Sequence, residues 1–257
     1  AGLFNVSTAA ALVAAAQGSV LAKHGNRAAT GNSGSADMLE AAGVNITLTP
    51  AQVTETIDTV GIGFMFAPTH HGATRHAVGP RREIGVRTLF NLLGPLTNPA
   101  DAKYQLVGVF NYRWVRPIAE VFKNLGSVHT IVVHSEDGLD EISIAAPTSA
   151  SELRNGEIVD YVIQPEDFGI ERQSLDTIRV ASAKASLEMI RNALAGAHGP
   201  AYDMVAINAG ATIYAADRTE SLAAGVKEAR RVLDSGAALK KLEEMAQFTQ
   251  QFQPEGR

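Results

Sequence analysis

Short apolar runs alternate with amphipathic stretches in the first third of the chain, a pattern typical of strands separated by helices. Ser7 or Thr8 is expected to cap the first, alanine-rich helix, and Thr49 forms a capping box with Gln52 before a later one. Glycines then act as stop signals. The predicted elements are a helix ending near Gly18, a strand over 19–22, a helix that carries Met38 and Leu39 and stops at Gly43, a helix over 50–60 and a strand over 62–67.

The same alternation continues from residue 104 to the end of the chain. Asn155 and Gly156 are typical of a type I′ turn, so they predict a β-hairpin between residues 151–153 and 158–163. The pattern therefore predicts an α/β fold with a mixed, largely parallel central sheet flanked by helices. The other predicted elements are strands over 104–110 and 129–133, helices over 115–125 and 181–194, a short buried strand over 205–208, a helix that begins at 209 and two polar helices after Ser221.

Composition narrows the class of protein. The chain has 257 residues, of which 46% are hydrophobic and 19% charged, a balance typical of a globular protein. Its net charge of -5 argues against a nucleic-acid-binding protein. Cysteine is absent, which leaves no thiolate chemistry and favours a cytoplasmic enzyme. The longest apolar run, residues 9–16, is too short to span a membrane, so we expect no membrane association.

Residues 23–43 form the most distinctive stretch of the sequence. Lys23 and Arg27 supply positive charge at its start, and residues 30–35 form a loop of small residues that opens a helix. Free backbone N–H groups and the dipole at a helix N-terminus attract anions, and small side chains allow close approach. The residues alone leave two interpretations open, a phosphate site or an ordinary glycine-containing loop.

A cluster of histidines follows the predicted strand over 62–67. His70, His71 and His76 could suggest a metal site, but their spacing is poor for zinc and no cysteine or paired carboxylate lies nearby in the sequence. The alternative is a solvated basic face.

Four carboxylates follow the predicted strand over 129–133. Two neighbouring acids at a strand end are suitable ligands for magnesium, which keeps several waters and bridges to substrate phosphates. Asp137 and Gly138 are equally typical of an acidic surface turn, so both interpretations stay open. The four acids are Glu136, Asp137, Asp140 and Glu141.

Residues 23–27, Lys-His-Gly-Asn-Arg, followed by residues 33–37, Ser-Gly-Ser-Ala-Asp, resemble the signature of the anthranilate phosphoribosyltransferase family. The resemblance extends over nearly the whole chain, through residues 237–242. It implies transfer of the phosphoribosyl group of phosphoribosyl pyrophosphate to the amine of anthranilate, with release of pyrophosphate, in tryptophan biosynthesis. It also implies Mg²⁺ as the cofactor. A nucleoside phosphorylase of related fold and a non-catalytic nucleic-acid-binding relative are the alternatives.

The resemblance implies roles for individual residues. The implied contacts to phosphoribosyl pyrophosphate are Asn5, Ser7, Thr8, Lys23, His24, Gly25, Asn26 and Ser35. The implied magnesium ligands are Ser7, Asp140 and Glu141. The implied anthranilate site contains Pro68, His71 and Arg81, with Arg82 as a rival partner for the carboxylate and Thr74 where the family often carries a larger residue. The implied catalytic residues are His24, Asn26 and His71, and either histidine could shuttle the proton that the amine loses.

The resemblance also implies a division of the chain. Residues 1–69 and 96–257 are expected to form the α/β catalytic domain, and residues 70–95 a helical segment that packs on an N-terminal helical domain. That domain and a glycine-rich pyrophosphate loop are expected to be missing here, and the full-length protein is expected to be a homodimer. We therefore expect these 257 residues alone to bind phosphoribosyl pyrophosphate poorly and to self-associate. The apolar residues expected to lose a partner are Leu89, Phe90, Leu92 and Leu93.

Overall fold

The computed structural model describes residues 2–27, 34–70 and 90–252, in which strands and helices alternate. The strands are β1 (Leu21–Gly25), β2 (Ile62–Phe66), β3 (Tyr104–Gly108), β4 (His129–Ser135), β5 (Thr148–Arg154) and β6 (Glu157–Ile163). The helices are α1 (Val6–Gln17), α2 (Ser35–Ala41), α3 (Pro50–Val60), α4 (Ala67–His70), α5 (Phe90–Leu96), α6 (Val115–Asn124), α7 (Ala183–Leu194), α8 (Pro200–Ala215), α9 (Leu222–Asp234) and α10 (Ala237–Gln250). Short 3₁₀ turns lie at Tyr112–Trp114, Pro165–Phe168 and Leu175–Ile178.

The described strands form two sheets. Strands β1 and β2 are parallel, with Leu21 opposite Ile62. Strands β3 and β4 are parallel as well, with Tyr104 opposite His129, whereas β4, β5 and β6 are joined in antiparallel order. The predicted mixed α/β fold, with helices flanking the sheets, is confirmed, but two of the four described strand pairings are antiparallel where a largely parallel sheet is predicted.

The predicted hairpin is also confirmed. Asn155 and Gly156 connect β5 to β6, and their φ angles are 53° and 79°. Positive φ at both central residues is the requirement of a type I′ turn, which asparagine and glycine meet at low cost.

Local signals set several helix ends. The side chain of Thr49 accepts a hydrogen bond from the Gln52 N–H, and the Thr49 N–H donates to the Gln52 side chain, so the predicted capping box is present. The first helix differs from the prediction, because its cap is Asn5 and not Ser7 or Thr8. The Asn5 side chain accepts a hydrogen bond from the Thr8 N–H at 3.1 Å.

Two predicted strands require correction. Strand β1 begins at Leu21 and continues through Gly25, so Lys23 and His24 lie on the strand and not after it. Residues 205–208 are helical and belong to α8. The reason is that α8 is buried on nearly every side and is apolar all round, so its short apolar run lacks the helical periodicity that would distinguish it from a strand.

Helices α1 and α8 lie at the centre of the core. Most side chains of both helices are buried, and small residues allow their neighbours to approach closely. A Cβ atom added at Gly225 on α9 would overlap the backbone carbonyl oxygen of Gly210 on α8. The position of α8 is therefore determined by backbone packing. Within the described residues, none of the helices is long and apolar enough to cross a membrane.

Candidate active site

A cleft of about 1030 Å³ contains most of the predicted site residues that the structure describes. Its lining includes side chains from the first turn of α1, the end of β1, the end of β3 and the segment after β4. The predicted residues that line it are Ser7, Lys23, His24, Gly25, Asn26, Asp140 and Glu141. The fold therefore brings together residues that are more than one hundred positions apart in the sequence.

The N-terminus of α1 forms one wall of the cleft. Asn5 uses its side chain as the helix cap, and its own N–H donates to Ser186 Oγ at 3.0 Å, which holds the start of the helix. Ser7 is exposed toward solvent, whereas Thr8 is buried. The positive end of the α1 dipole attracts anions, although the Thr8 N–H of this turn already donates to the Asn5 cap.

Lys23 is the predicted phosphate-binding cation that lines the cleft, which Lys103 and Arg218 also line. Its Nζ atom donates a hydrogen bond to Ser7 Oγ at 3.1 Å, which connects β1 to α1. Burial lowers the pKa of Lys23 to about 8, and the negative charge of Glu141 opposes this shift. The three residues thus form one electrostatic unit.

Arg27 behaves differently from the expectation that it would supply free positive charge. Its guanidinium forms ion pairs with Asp37 at 3.1 Å and with Glu40 at 2.7 Å, both on α2. The hydrogen bonds that Arg27 donates to Glu40 and Asp37 raise the pKa of Arg27 above its ordinary value. Arg27 stays charged, but two carboxylates neutralise it, and it acts mainly as a link between β1 and α2.

The approach of α2 to β1 depends on a glycine. A Cβ atom added at Gly25 would overlap Ser35 Oγ and crowd the Phe64 ring. The Ser35 hydroxyl donates to the Asn26 carbonyl oxygen at 3.3 Å. The predicted site residues Gly25, Asn26 and Ser35 are therefore neighbours in space.

The carboxylates after β4 separate into two groups. Asp137 has a structural role in the turn, because its side chain accepts hydrogen bonds from the Leu139 N–H and from the Ser143 hydroxyl. Glu136 is exposed in the same turn. The surface-turn interpretation therefore applies to Asp137, while Asp140 and Glu141 face the cleft.

Glu141 is the strongly perturbed acid of the cleft. Burial raises the pKa of Glu141 to about 8, and the adjacent Asp140 adds to that shift, while Lys23 opposes it. A desolvated carboxylate beside a second carboxylate is stabilised by a cation. Two acids and one hydroxyl fit Mg²⁺, which binds one or two carboxylates and keeps its waters. In the ranges that the structure describes, no cluster of three histidines, aspartates or glutamates could hold a metal.

Two residues of this site were missed from the sequence. Asn208 of α8 is buried and hydrogen-bonds the backbone of Ile142, next to Glu141. Gly108 ends β3, and a Cβ atom there would overlap the Asp140 carbonyl oxygen. The signal for Asn208 was an amide inside an apolar run, and the assignment of residues 205–208 to a strand concealed it. Gly108 carried no signal, because its role depends on a segment 32 positions away in the sequence.

Part of the predicted anthranilate site lies outside the described residues. This applies to His71, Thr74, Arg81 and Arg82, and also to His76 of the histidine cluster. Pro68 and His70 are described and lie on α4, directly after β2, where Nδ1 of His70 is 3.1 Å from the Phe66 carbonyl oxygen.

Comparisons with known sequences agree with this picture. Residues 1–239 match a family model described as the glycosyl transferase family, a/b domain. The chain is 60% identical over 248 residues to the anthranilate phosphoribosyltransferase of Thioalkalivibrio sulfidiphilus, covering 96% of this chain and 73% of that protein. It is 58% identical over 249 residues to the enzyme of the same name from Methylococcus capsulatus, covering 97% of this chain and 73% of that protein.

Solved structures give the same result. The structure of anthranilate phosphoribosyltransferase from Thermus thermophilus superimposes with a TM-score of 0.91 at 45% identity, covering 97% of this chain and 74% of that chain. The enzyme from Saccharomyces cerevisiae, in complex with PRPP and Mg, superimposes with a TM-score of 0.88 at 26% identity, covering 98% of this chain and 71% of that chain.

Proposed function

The chain belongs to the anthranilate phosphoribosyltransferases, and from this membership we propose how its cleft transfers a phosphoribosyl group from phosphoribosyl pyrophosphate to anthranilate. The reaction releases pyrophosphate and serves tryptophan biosynthesis. The observation that carries the proposal is the convergence of Lys23, the α1 N-terminus and the Asp140–Glu141 pair on one cleft. Cations and carboxylates in one cleft are what a magnesium-bound diphosphate requires.

The basic side of the cleft binds the phosphates. Lys23 supplies charge, and the first turn of α1, where Asn5, Ser7 and Thr8 are the proposed contacts, supplies the positive end of the helix dipole. Negative charge grows on the leaving pyrophosphate as its bond to the ribose breaks. Fixed positive groups stabilise that charge without reorganisation during the reaction.

The acidic side of the cleft would hold magnesium. Asp140, Glu141 and Ser7 are the proposed ligands. A bound Mg²⁺ would supply the positive charge that a leaving diphosphate requires. The relative from Saccharomyces cerevisiae, described in complex with PRPP and Mg, supports this part of the proposal.

The anthranilate side of the site is proposed around Pro68, His71 and Arg81. An arginine donates two parallel hydrogen bonds to a carboxylate, which would orient the aromatic acid. The attacking group is an aryl amine, which is unprotonated at neutral pH, so positioning near the anomeric carbon supplies much of the rate. The carbon–oxygen bond to pyrophosphate breaks and a carbon–nitrogen bond forms. His24, Asn26 and His71 are the proposed groups near the amine, and either histidine can take the released proton.

The test measures whether the consumption of anthranilate depends on phosphoribosyl pyrophosphate and Mg²⁺. The protein that contains these 257 residues is incubated with anthranilate, phosphoribosyl pyrophosphate and MgCl₂, and the loss of anthranilate fluorescence is recorded. We expect loss only when all three are present, with one pyrophosphate released per anthranilate. Phosphate-dependent cleavage of a nucleoside, without any consumption of anthranilate, would instead assign the chain to nucleoside phosphorylase chemistry and overturn the proposal.

A homodimeric assembly, a cytoplasmic location and the absence of nucleic-acid binding stay predictions. The net charge of -5 supports the last of these, because nucleic-acid-binding surfaces are basic.

A further inference from the structure

We propose that Asn208 and Gly108 together clamp the Asp140–Glu141 segment, and that Asn208 is a positioning residue for divalent-metal binding. The inference rests on the proposed function, because it takes the two carboxylates as metal ligands. Neither residue needs to touch substrate for this role.

The first half of the clamp is a set of three hydrogen bonds. Asn208 Oδ1 accepts from the Ile142 N–H at 2.9 Å, and Nδ2 donates to the Ile142 carbonyl oxygen at 2.8 Å. The same Nδ2 donates to the Met204 carbonyl oxygen within α8 at 2.9 Å. The Ile142 N–H belongs to the peptide that joins Ile142 to Glu141. Asn208 therefore fixes the orientation of the peptide group that joins Glu141 to Ile142.

The second half of the clamp is a close backbone contact. A Cβ atom at Gly108 would overlap the carbonyl oxygen of Asp140, so only glycine leaves room for this segment against β3. Asp140 is thus confined on the β3 side, and Ile142 is held on the α8 side. Glu141 lies between the two anchored residues.

Burial increases the contribution of the Asn208 hydrogen bonds to the position of the segment. Asn208 is only 3% exposed and Ile142 is fully buried, so water cannot replace a lost partner. An unpaired buried amide group is costly, and the segment would shift to satisfy it. Residues that orient metal ligands in this way change metal affinity about 10- to 100-fold when they are replaced.

The anchor itself is rigid. Asn208 lies on α8 only two residues before Gly210, whose backbone is in close contact with α9. A shift of α8 would break the close backbone contact between α8 and α9. The clamp therefore transmits the packing of the helical core to the acidic side of the cleft.

The test uses Asn208→Leu, which keeps side-chain size and removes all three hydrogen bonds. The matched control is Thr212→Val, one turn further along α8, where the lost hydroxyl donates, within the described residues, to the carbonyl oxygen of Asn208 in the same helix. Mn²⁺ alone is titrated into each protein, and free Mn²⁺ is measured by electron paramagnetic resonance. Thermal unfolding and steady-state kinetics with Mg²⁺ are measured in parallel.

We expect the Mn²⁺ dissociation constant of Asn208→Leu to rise at least tenfold, with turnover restored by excess Mg²⁺ and the KM for anthranilate unchanged. Thr212→Val should keep the wild-type Mn²⁺ affinity. An unchanged Mn²⁺ affinity in folded Asn208→Leu, or equal losses in both variants, would overturn the proposal.

A second variant covers the case in which Asn208→Leu does not fold. Gly108→Ala presses on Asp140 from β3 and changes no residue of α8, and it should weaken Mn²⁺ binding by a similar factor. Wild-type Mn²⁺ affinity in that variant would overturn the clamp. The two proposals can fail separately. If the protein does not transfer a phosphoribosyl group but these variants still weaken Mn²⁺ binding, the proposed function is wrong and the clamp is supported.

Discussion

The Nζ atom of Lys23 donates a hydrogen bond to Ser7 Oγ at 3.1 Å, which joins the middle of β1 to the first turn of α1. The contact brings a cation to the positive end of a helix dipole, an arrangement that favours an anion nearby. Glu141 is close enough to Lys23 to influence the pKa of the lysine. A bound diphosphate would pair with the positive charge of Lys23, and its metal would pair with the negative charge of Glu141.

The contrast between Lys23 and Arg27 gives a first prediction. Lys23→Met should raise the KM for phosphoribosyl pyrophosphate about tenfold or more, because a charged hydrogen bond contributes about 1.5–3 kcal/mol. Arg27→Met should change that KM less than about threefold, since Arg27 is already neutralised by Asp37 and Glu40 and exposed ion pairs contribute about 0.2–1 kcal/mol. Steady-state kinetics with varied phosphoribosyl pyrophosphate decides between them. A larger effect from Arg27→Met would show that the ion pairs open for the substrate.

The carboxylates of the segment after β4 give a second prediction. Asp140→Ala and Glu141→Ala should raise the Mg²⁺ concentration needed for half-maximal turnover at least tenfold, because each removes a proposed metal ligand. Glu136→Gln is the matched control, since Glu136 is exposed in the same turn and does not line the cleft. Normal turnover at limiting Mg²⁺ in both alanine variants contradicts the assignment.

A third prediction concerns how the stability of the fold depends on acid. It rests on a hydrogen-bond network at the start of β4, the end away from Asp140 and Glu141. His129 is fully buried, and its ring nitrogens lie 2.8 Å from an Asp217 oxygen and 3.0 Å from a Glu152 oxygen. Glu152 also accepts hydrogen bonds from the hydroxyls of Tyr161 and Tyr214, each at 2.8 Å. Burial opposes ionisation, but these hydrogen bonds together hold the pKa of Glu152 below its ordinary value.

The lowered pKa of Glu152 determines how the stability of the fold changes with pH. A carboxylate with a lowered pKa in the folded state contributes stability above its unfolded pKa of 4.5 and loses it as the pH falls further. Glu152→Gln should therefore lower the free energy of unfolding at pH 7 by about 1–3 kcal/mol and flatten its decline below pH 4.5. Urea unfolding at pH 7 and at pH 3.5 measures both effects. Glu157→Gln in the same hairpin is the control, and an identical acid response in the two variants contradicts the prediction.

A fourth prediction concerns the anthranilate carboxylate. Arg81→Ala should raise the KM for anthranilate more than the KM for phosphoribosyl pyrophosphate, because it removes a carboxylate partner that contributes about 1.5–3 kcal/mol. Steady-state kinetics with each substrate varied in turn provides the measurement. A larger anthranilate effect from Arg82→Ala would assign the carboxylate to the neighbouring arginine.

Much of the local structure was determined by the sequence itself. The capping box of Thr49 and Gln52 begins α3, Gly61 ends it, and the Asn155–Gly156 turn produces the hairpin, as predicted. These features depend on backbone groups within a few positions of each other, so short-range chemistry is sufficient to predict them. The motif around Lys23 likewise indicated the family, and the comparisons confirm it.

Tertiary structure decided what the short-range signals could not. Residues 205–208 are helical because burial on all sides of α8 removes the periodicity by which a helix is recognised. The charge of Arg27 is neutralised by carboxylates 10 and 13 positions away, on a helix that folds back against β1. The contacts of Asn208 with Ile142, across 66 positions, exist only after α8 packs beneath the acidic segment. Long-range packing thus selects which of the chain's many charged residues share one cleft, because that choice depends on how separate elements are stacked and not on their order.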